Sequence, residues 1–385
     1  NGEGSEFLVV STQNGTEVEI TPAATTLGGS PAGVPFTIEL DAGQSYMVQA
    51  EDDADLIGSL VKGTESSGPC RPFAIFSGSY CSNVPNSCAA CDHLYEQNFP
   101  VEHWGSKFFT IPFHDLDSYS YRVLAHTDGT TVTIDGVSSV TLNAGEFLEN
   151  NLENQPHCIE SSQPVAVMQF MQGVDCTNDG DPAMLILNDV SQKIDNITFS
   201  TVESAIITSH NLTIITETSQ IGDVVLDGSA LSPTVFDPVP SCPNHSYTTM
   251  SLSEGSHTLI APGGITAYVY GTGNAESYAY SAGSFQSLDL LELLVDSVVC
   301  SDQLVTLQTD QILSDTFWLG QANLLDTLGW GPTLTLNPPI MTDVYELHGN
   351  LWASGCEVVE LFLVESNESP AITVESDYYE ICQYS

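Results

Sequence analysis

Apolar and polar residues alternate with a period of two in the first part of the chain. The alternation is strict in Glu17-Val18-Glu19-Ile20, and the Asn14-Gly15 pair before it is typical of a hairpin turn. No eleven-residue window within 7–81 shows a helical period. The apolar runs beyond residue 109 have the same strand character. The pattern therefore predicts an all-β fold.

The order of strands and turns recurs further along the chain. The aligned segments are 7–20 with 121–134, 38–48 with 140–150, and 71–78 with 163–170. Each copy runs strand, tight turn, strand, Ala-Gly turn, strand, and an apolar strand led by proline. Such fixed-order similarity is typical of duplicated β-units, although unrelated β proteins also reuse turn chemistry.

A third, more degraded copy is indicated at 205–280, where chance reuse of turns is an equal alternative. The sequence thus predicts tandem duplicated β-sandwich-like units across 1–285. The internal repeats are expected at about 1–81, 121–176 and 205–280.

The character of the chain changes after residue 285. Cys300, Trp318 and Cys356 occur in the order of an immunoglobulin-like sandwich, in which a buried Trp packs on an inter-sheet disulfide. The spacing is similar to that of the compact Ig-like and PKD-like repeats of bacterial surface proteins. We therefore predict an Ig-like/PKD-like sandwich at 286–366 and a Cys300–Cys356 disulfide.

The last residues resemble the entry strand of another such repeat. Val374-Glu375-Ser376 leads to Cys382 much as Val295-Asp296-Ser297 leads to Cys300. We expect 367–385 to be the truncated start of a further Ig-like repeat. The chain would then be part of a longer modular protein.

The charge balance excludes several classes of partner. The chain carries 50 acidic residues and five Lys or Arg residues, for a formal net charge of -45. Nucleic acids and anionic membranes are bound through Lys and Arg, so neither is an expected partner. The acidic surface is interpreted as adaptation to a salty medium, with Ca²⁺ binding as the alternative.

The cysteine content favours an oxidising compartment. Ten cysteines and several N-x-S/T sequons suit a secreted protein, and no apolar run approaches the roughly 20 residues of a membrane helix. Asn1 is not followed by a basic-apolar leader, so the chain is expected to be a mature secreted piece.

The stretch 81–109 separates the first two copies and carries the most specific motifs. These are CxxCDHLxEQ at 88–97 and PVxxWGxxF at 100–108. They resemble the N-terminal family of IgGFc-binding proteins, which includes secreted mucus-associated animal proteins and bacterial surface proteins. Further matching segments follow in the family's order at 122–136, 142–149, 163–170, 179–187 and 269–283. The resemblance covers about 70–285, with a looser fit upstream.

The resemblance also bears on the disulfides. The family usually keeps cysteines equivalent to Cys81 and Cys91, which implies that these two pair. Cys70–Cys88 follows by proximity, and Cys158–Cys176 is preferred among the rest, which leaves Cys242 and Cys382 without an assigned partner. Cys88-x-x-Cys91-x-His93 also has zinc half-site spacing, but an oxidising compartment favours disulfides.

Polar residues of the same stretch have two interpretations. Asp92, His93, Glu96 and Gln97 could form a buried hydrogen-bonded brace anchored by Trp104. The alternative is that His93 and Glu96 form a recognition or catalytic pair. The brace is favoured.

One loop has the composition of a hard-cation site. Asp175, Asp179 and Asp181 offer carboxylate oxygens at close spacing, although no Glu closes an EF-hand loop. Solvated loop residues are the alternative in so acidic a chain. No cofactor is expected to be required, and Ca²⁺ at these three residues remains the open alternative.

No motif of an enzyme is present. The chain lacks G-x-S-x-G, HExxH, a phosphate-binding glycine loop and a dinucleotide fingerprint. We therefore predict a non-enzymatic, secreted adhesion module or extracellular filament component of a bacterial surface, which acts through protein or glycan contacts and in a longer chain could form a homo-oligomeric fibre. The alternative is an accessory, glycan-binding region of a larger secreted carbohydrate-active enzyme.

Overall fold

Strands dominate the structure. The computed structural model describes residues 4–64, 71–177, 179–284, 294–300, 305–308, 313–320, 323–336, 342–351 and 357–367. Strands account for 57% of the chain and helices for 5%, which confirms the all-β prediction. The chain divides into two compact units, Asn1–Val61 with Arg71–Gln286, and Lys62–Cys70 with Ser287–Ser385.

The first unit contains three successive groups of strands, called here the first, second and third repeats. The first repeat comprises β1 (Ser5–Ser11), β2 (Thr16–Thr21), β3 (Phe36–Leu40), β4 (Ser45–Gln49), β5 (Leu60–Gly63), β6 (Phe73–Ser82) and β7 (Asp92–Gln97). Its strands form two sheets, in the orders β4-β1-β6-β7 and β3-β2-β5.

The second repeat follows a short 3-10 helix, Val101–His103. It comprises β8 (Gly105–Thr110), β9 (Tyr119–Ala125), β10 (Thr130–Ile134), β11 (Ser138–Leu142), β12 (Phe147–Glu153), β13 (His157–Phe170), helix α1 (Val174–Thr177) and β14 (Met184–Ile186). The sheet order is β11-β10-β13-β9-β12, and β8 and β14 also pair with the long strand β13.

The third repeat has the same plan. It comprises β15 (Ile194–Ser200), β16 (Ile207–Glu217), β17 (Val225–Leu226), β18 (Ser229–Ala230), β19 (Asp237–Pro238), β20 (His245–Leu252), β21 (Ser256–Gly273) and β22 (Glu276–Ser281), with 3-10 turns at Thr218–Asp223 and Pro233–Val235. The sheet order is β18-β17-β21-β16-β20-β19, with β15 and β22 also paired to β21.

The strand pairing follows one pattern in all three repeats. The central strand (β1, β9 or β16) lies between an antiparallel partner (β4, β12 or β20) and a longer strand (β6, β13 or β21). The longer strand then pairs with the last strand of its repeat, which is β7, β14 or β22. The three groups therefore share one order of strand pairing, and their origin by duplication stays a prediction.

The structure explains the position of the proline in the long apolar strands β13 and β21. In β13 the register shifts between Glu160 and Val165, so the two halves of the strand pair with different neighbours. Pro164 lies in this shift, and Pro262 lies in the corresponding part of β21. Because proline has no N–H to donate, the ladder is interrupted there and the strand changes partners.

The repeats pack on one another within the first unit. The main core cluster combines side chains of the second repeat, such as Tyr121 and Val167, with Tyr270 of the third. Leu94 of the first repeat packs with Phe170 and Met184 of the second. The three repeats therefore share apolar cores.

The second unit also forms two sheets. Its strands are β23 (Leu294–Cys300), β24 (Val305–Gln308), β25 (Leu313–Gly320), β26 (Asn323–Trp330), β27 (Thr333–Leu336), β28 (Thr342–Leu351) and β29 (Glu357–Asn367). The orders are β23-β29-β28-β25-β26 and β24-β27. Trp318 on β25 is fully buried, and its indole N–H donates to the Gly331 carbonyl at 2.9 Å. The segment 367–385 lies almost wholly outside the described residues.

Candidate functional site

The β4-β1-β6-β7 sheet has one face in the core and one face outside it. Phe7 and Val9 of β1 point into the core and are 4% and 0% exposed. Because successive strand side chains point to opposite faces, the residues between them point outward. The outward positions that define the outer sheet face are Leu8, Met47, Phe76, Tyr80, His93 and Tyr95.

The outer sheet face is apolar and aromatic. Leu8 pairs in register with Met47 on one side and with Phe76 on the other. The rings of Phe76 and Tyr95 are nearly parallel, 8° apart, with centroids separated by 6.3 Å. Met47 is 43% exposed and Tyr80 is 64% exposed. Solvent thus reaches several large apolar side chains on neighbouring strands.

A buried carboxylate lies at the edge of this face. Glu6 is only 5% exposed; its Oε2 accepts a 2.7 Å hydrogen bond from the Gln49 amide, and its Oε1 lies 3.3 Å from Nε2 of His93. Burial raises the pKa of Tyr95, and the charge of Glu6 raises it further. The outer sheet face therefore combines an apolar surface with negative charge beneath it.

The residues of the predicted brace do not gather in one place. Asp92, His93, Glu96 and Gln97 form strand β7 rather than an irregular linker. His93 and Glu96 are three positions apart, so they point to opposite faces of the strand, and His93 has a half-exposed side chain beside Glu6. Trp104 bonds separately, from its indole N–H to the Phe99 carbonyl at 3.1 Å. The predicted brace requires these side chains to lie together, whereas a strand directs them to two opposite faces.

Glu96 has an unusual protonation equilibrium. Burial raises the pKa of its carboxyl group to about 7. A carboxyl group that binds its proton this tightly is a feature of some catalytic sites, but it also occurs wherever an acid is desolvated. Burial is the cause of the shift.

Disulfides join successive repeats. Cys88 of the first repeat bonds to Cys176 of the second, with the Cα atoms 5.5 Å apart. Cys158 of the second repeat bonds to Cys242 of the third, with the Cα atoms 6.1 Å apart. A third bond, Cys81–Cys91, closes a local loop. The two long-range bonds tie each repeat to the next.

Two of the predicted pairs are wrong. Cys88 bonds to Cys176 and not to Cys70, and Cys158 bonds to Cys242 and not to Cys176. Neither bond could be found from the order of the cysteines in the sequence, because the packing of repeats brings distant segments together. The structure contains the Cys81–Cys91 bond that the family resemblance implied. Cys70, Cys356, Cys382 and the side chain of Cys300 lie outside the described residues.

Two Asp–His pairs resemble parts of a catalytic triad, but both ring nitrogens of each histidine already have hydrogen-bond partners. Nδ1 of His157 lies 2.7 Å from the Asp135 carboxylate, and its Nε2 lies 3.2 Å from Glu153. Nδ1 of His257 lies 2.7 Å from Asp227, and its Nε2 lies 2.8 Å from the Ser253 carbonyl. With an acceptor at each ring nitrogen, neither imidazole is arranged to activate a nucleophile.

The three acids of the predicted cation loop have different environments. Asp175 lies in α1 and is exposed, as is Asp179, whose carboxylate accepts a 2.8 Å hydrogen bond from the Thr272 hydroxyl. Asp181 is buried, with 8% of its surface exposed. A site formed by these three residues alone remains a prediction.

A small cleft also lies beside the third repeat. Its lining includes Phe109, Lys193, Glu217 and His245. Burial is the main cause that lowers the pKa of His245, and Lys193 is paired with Glu217 at 2.9 Å. No serine or cysteine lines this cleft.

The comparison with known families agrees with the motifs at 88–108. A family model described as IgGFc binding protein matches residues 1–271, more than half of the chain. The chain belongs to the IgGFc-binding protein family. The match reaches further upstream than the motifs indicated and includes the first repeat. No curated protein matches the chain.

Membership of this family has consequences for function. The IgGFc-binding protein family is extracellular or secreted, is not an enzyme family, and implies binding to extracellular proteins. None of the helices in the described part of the chain is long and apolar enough to cross a membrane. The outer sheet face was missed from sequence, since alternation marks its residues as outward but does not show whether another element covers them.

Proposed function

We propose that this member of the IgGFc-binding protein family is a non-enzymatic adhesion module of a bacterial surface that attaches to partner proteins through the outer sheet face. The observation that carries the proposal is the apolar group on the outer sheet face, where Met47 and Tyr80 are exposed and Phe76 and Tyr95 are half-buried. Contiguous exposed apolar side chains with a polar surround are typical of protein interaction sites.

The rest of the first unit suits a passive scaffold. Cys88–Cys176 and Cys158–Cys242 link the three repeats, and shared apolar cores hold them together. A domain crosslinked in this way resists unfolding in the extracellular space. The outer sheet face is thereby presented on a rigid support.

The charge of the chain favours a partner of opposite sign. With a formal net charge of -45, a second copy of this chain would be repelled in dilute salt. The complementary partner has an apolar patch surrounded by Lys and Arg. Its association should be fast at low salt and slower as salt screens the attraction.

The second unit fits the role of a stalk. Its five-stranded and two-stranded sheets, with Trp318 buried between strands, support an Ig-like/PKD-like assignment for 286–366. In a longer protein, further repeats of this kind would hold the first unit away from the cell, or build a fibre. The segment 367–385 would begin the next repeat.

Glycan binding is the second candidate. The nearly parallel rings of Phe76 and Tyr95 form a platform of the kind on which sugar rings stack, and Gln49 and His93 offer hydrogen bonds beside it. In that case the chain would be the accessory region of a larger carbohydrate-active enzyme. Neutral glycans would bind with little dependence on salt.

A random peptide display library tests the proposal with the full chain as bait. We expect selected peptides to combine aromatic or aliphatic residues with Lys and Arg. Their affinity should fall at least tenfold for the Phe76→Ser/Tyr95→Ser variant and stay unchanged for Val137→Ser, which alters a side chain 85% exposed in the second repeat. Peptides that bind the native chain, the double variant and Val137→Ser with equal affinity would contradict the proposal. A glycan-array signal lost only in the double variant would favour the second candidate.

A further inference from the structure

One buried carboxylate oxygen has no partner. Asp181 precedes β14 and is 8% exposed, and its Oδ1 is buried without a hydrogen bond among the described residues. Its own backbone N–H donates to the Ser277 hydroxyl at 2.8 Å, which fixes the segment against the third repeat. A buried, unpaired carboxylate oxygen is costly unless a proton or a cation accompanies it.

Asp181 lies where the last strands of the three repeats meet. The equivalent strands are β7, β14 and β22, and β14 packs against both of the others. Asp92 is the first residue of β7, and Glu276 is the first residue of β22. An acidic residue therefore occurs at or just before the start of the equivalent strand in each repeat.

Backbone contacts bring these starting points together. The Gly180 N–H donates to the Gly273 carbonyl, and Gly273 pairs in register with Glu276. On the other side, Gly173 packs against the carbonyl oxygens of Ala89 and Ala90, close in sequence to Asp92. The Cys88–Cys176 disulfide holds this second contact.

The three acids are not neutralised by basic side chains. None of them forms an ion pair with Lys or Arg in the described part of the chain. Burial, followed by the charges of Asp92 and Glu276, raises the pKa of Asp181 to about 6. The junction therefore brings two acidic side chains close to a third that is buried.

We propose that Asp181, together with Asp92 and Glu276, binds a divalent cation, Ca²⁺, at the junction of the three repeats. Ca²⁺ takes six to eight oxygen ligands at flexible positions, which the three carboxylates and water supply. The nearby Cys88, Cys91 and Cys176 are in disulfides, which leaves an oxygen donor set.

Binding would tighten the junction. Among the described residues, Cys158, Glu160 and Cys242 form a group with their ligand atoms within 4.8 Å of one another. The carboxylates of Asp181, Asp92 and Glu276 do not form such a group. Asp92 is half-buried and accepts a 2.7 Å hydrogen bond from the His93 N–H, and Glu276 is exposed. The ion would then link three repeats rather than close the single loop 175–181.

Calcium titration of the chelator-treated full chain tests the proposal. We expect one saturable site and, at a Ca²⁺ concentration 100 times the Kd, a rise in Tm of about 5 °C. Asp181→Asn should weaken the site at least tenfold, and Asp92→Asn and Glu276→Gln should weaken it without unfolding the protein. Asp195→Asn, an exposed acid with the same charge change, is the control.

The outcomes separate the site from diffuse binding to an acidic surface. Equal Ca²⁺ responses of Asp181→Asn and Asp195→Asn would overturn the proposal, because the bound ion would then not depend on the Asp181 carboxylate. Loss of the site in Asp175→Asn, with no change in Asp92→Asn and Glu276→Gln, would place the ion in the 175–181 loop instead. Since calorimetry and melting report these results, they do not depend on adhesion by the outer sheet face.

Discussion

The Asp135 carboxylate and the His157 ring are joined at 2.7 Å, at the point where β13 begins. The other oxygen of Asp135 accepts a 2.9 Å hydrogen bond from the Cys158 N–H. Asp227 makes the same two contacts in the third repeat, to the His257 ring and the Thr258 N–H. Both Asp residues begin an Asp-Gly turn with positive φ angles. The pair therefore fixes a hairpin turn to the long strand in the second and third repeats.

The Asp227–His257 pair should make stability depend on pH. Burial lowers the pKa of His257, but the contacts to Asp227 and Ser253 outweigh it and the net pKa is raised. A raised folded-state pKa means that the contribution is full below the unfolded value of about 6.5 and is lost as pH rises through the folded value.

A double-mutant cycle with Asp227→Asn and His257→Asn measures this contribution. Because Asp227 is partly exposed, we expect a coupling free energy of about 1 kcal/mol at pH 5.5 that shrinks toward zero by pH 8.5. The measurement is urea unfolding at both pH values. A coupling energy that grows with pH would refute the assignment.

The disulfide between Cys158 and Cys242 should stabilise the fold more than the local one. It closes a separation of 84 residues, whereas Cys81–Cys91 closes 10. Chain-entropy estimates give losses in the free energy of unfolding of about 4.5 and about 2.7 kcal/mol when each bond is replaced by two serines. Denaturant unfolding of Cys158→Ser/Cys242→Ser and Cys81→Ser/Cys91→Ser compares them. Equal losses would show that the long-range bond does not hold the repeats together.

The contact between Gly58 and Gly145 predicts a sensitive position between the first two repeats. Both glycines have positive φ, and a Cβ on Gly58 would lie 2.7 Å from the Gly145 carbonyl oxygen. Gly29 has a similar φ but open space around it. Gly29→Ala should therefore lose only about 1 kcal/mol for its backbone conformation, and Gly58→Ala about 2 kcal/mol more. Thermal unfolding of both variants measures these losses of stability. Equal losses for Gly29→Ala and Gly58→Ala would mean that the first two repeats are not in close contact at Gly58.

Glu96 should destabilise the protein as pH rises. Its folded-state pKa of about 7 exceeds the ordinary value of 4.5, so stability is greatest below the ordinary value and falls as pH rises through 7. Glu96→Gln should be more stable than the native chain by about 2 kcal/mol at pH 8 and nearly equal at pH 4. Glu203→Gln, at an exposed position, controls for the loss of one charge. If Glu96→Gln behaves like Glu203→Gln at pH 8, burial of Glu96 is not the cause of the shift.

Much of the fold could be predicted from local pattern. The alternation in Glu17-Val18-Glu19-Ile20 corresponds to β2, and the segments aligned at 7–20 and 121–134 are both strand–turn–strand units in the structure. The proline that leads the apolar strand was visible, but its role in the shift of partners within β13 was not. Local pattern identifies strands because side-chain direction depends on the strand itself.

Long-range contacts could not be predicted in the same way. Cys158 bonds to Cys242 because two repeats pack side by side, and nothing near either cysteine in sequence marks the other. Asp181 likewise comes near Glu276 through the packing of β14 on β22. The brace at 92–97 was misjudged because the strand character of β7 was overlooked beside its polar motif.

Oxidation of Met47 tests the proposed interaction surface most directly. Met47 is 43% exposed on the outer sheet face, whereas Met250 is half-buried in the third repeat and serves as an internal reference. Oxidation by dilute peroxide, followed by peptide mass spectrometry, is compared with and without a saturating peptide selected on the native chain. The account predicts that the peptide slows oxidation of Met47 several-fold and leaves Met250 unchanged. Equal oxidation of Met47 in the free and bound chain would contradict it.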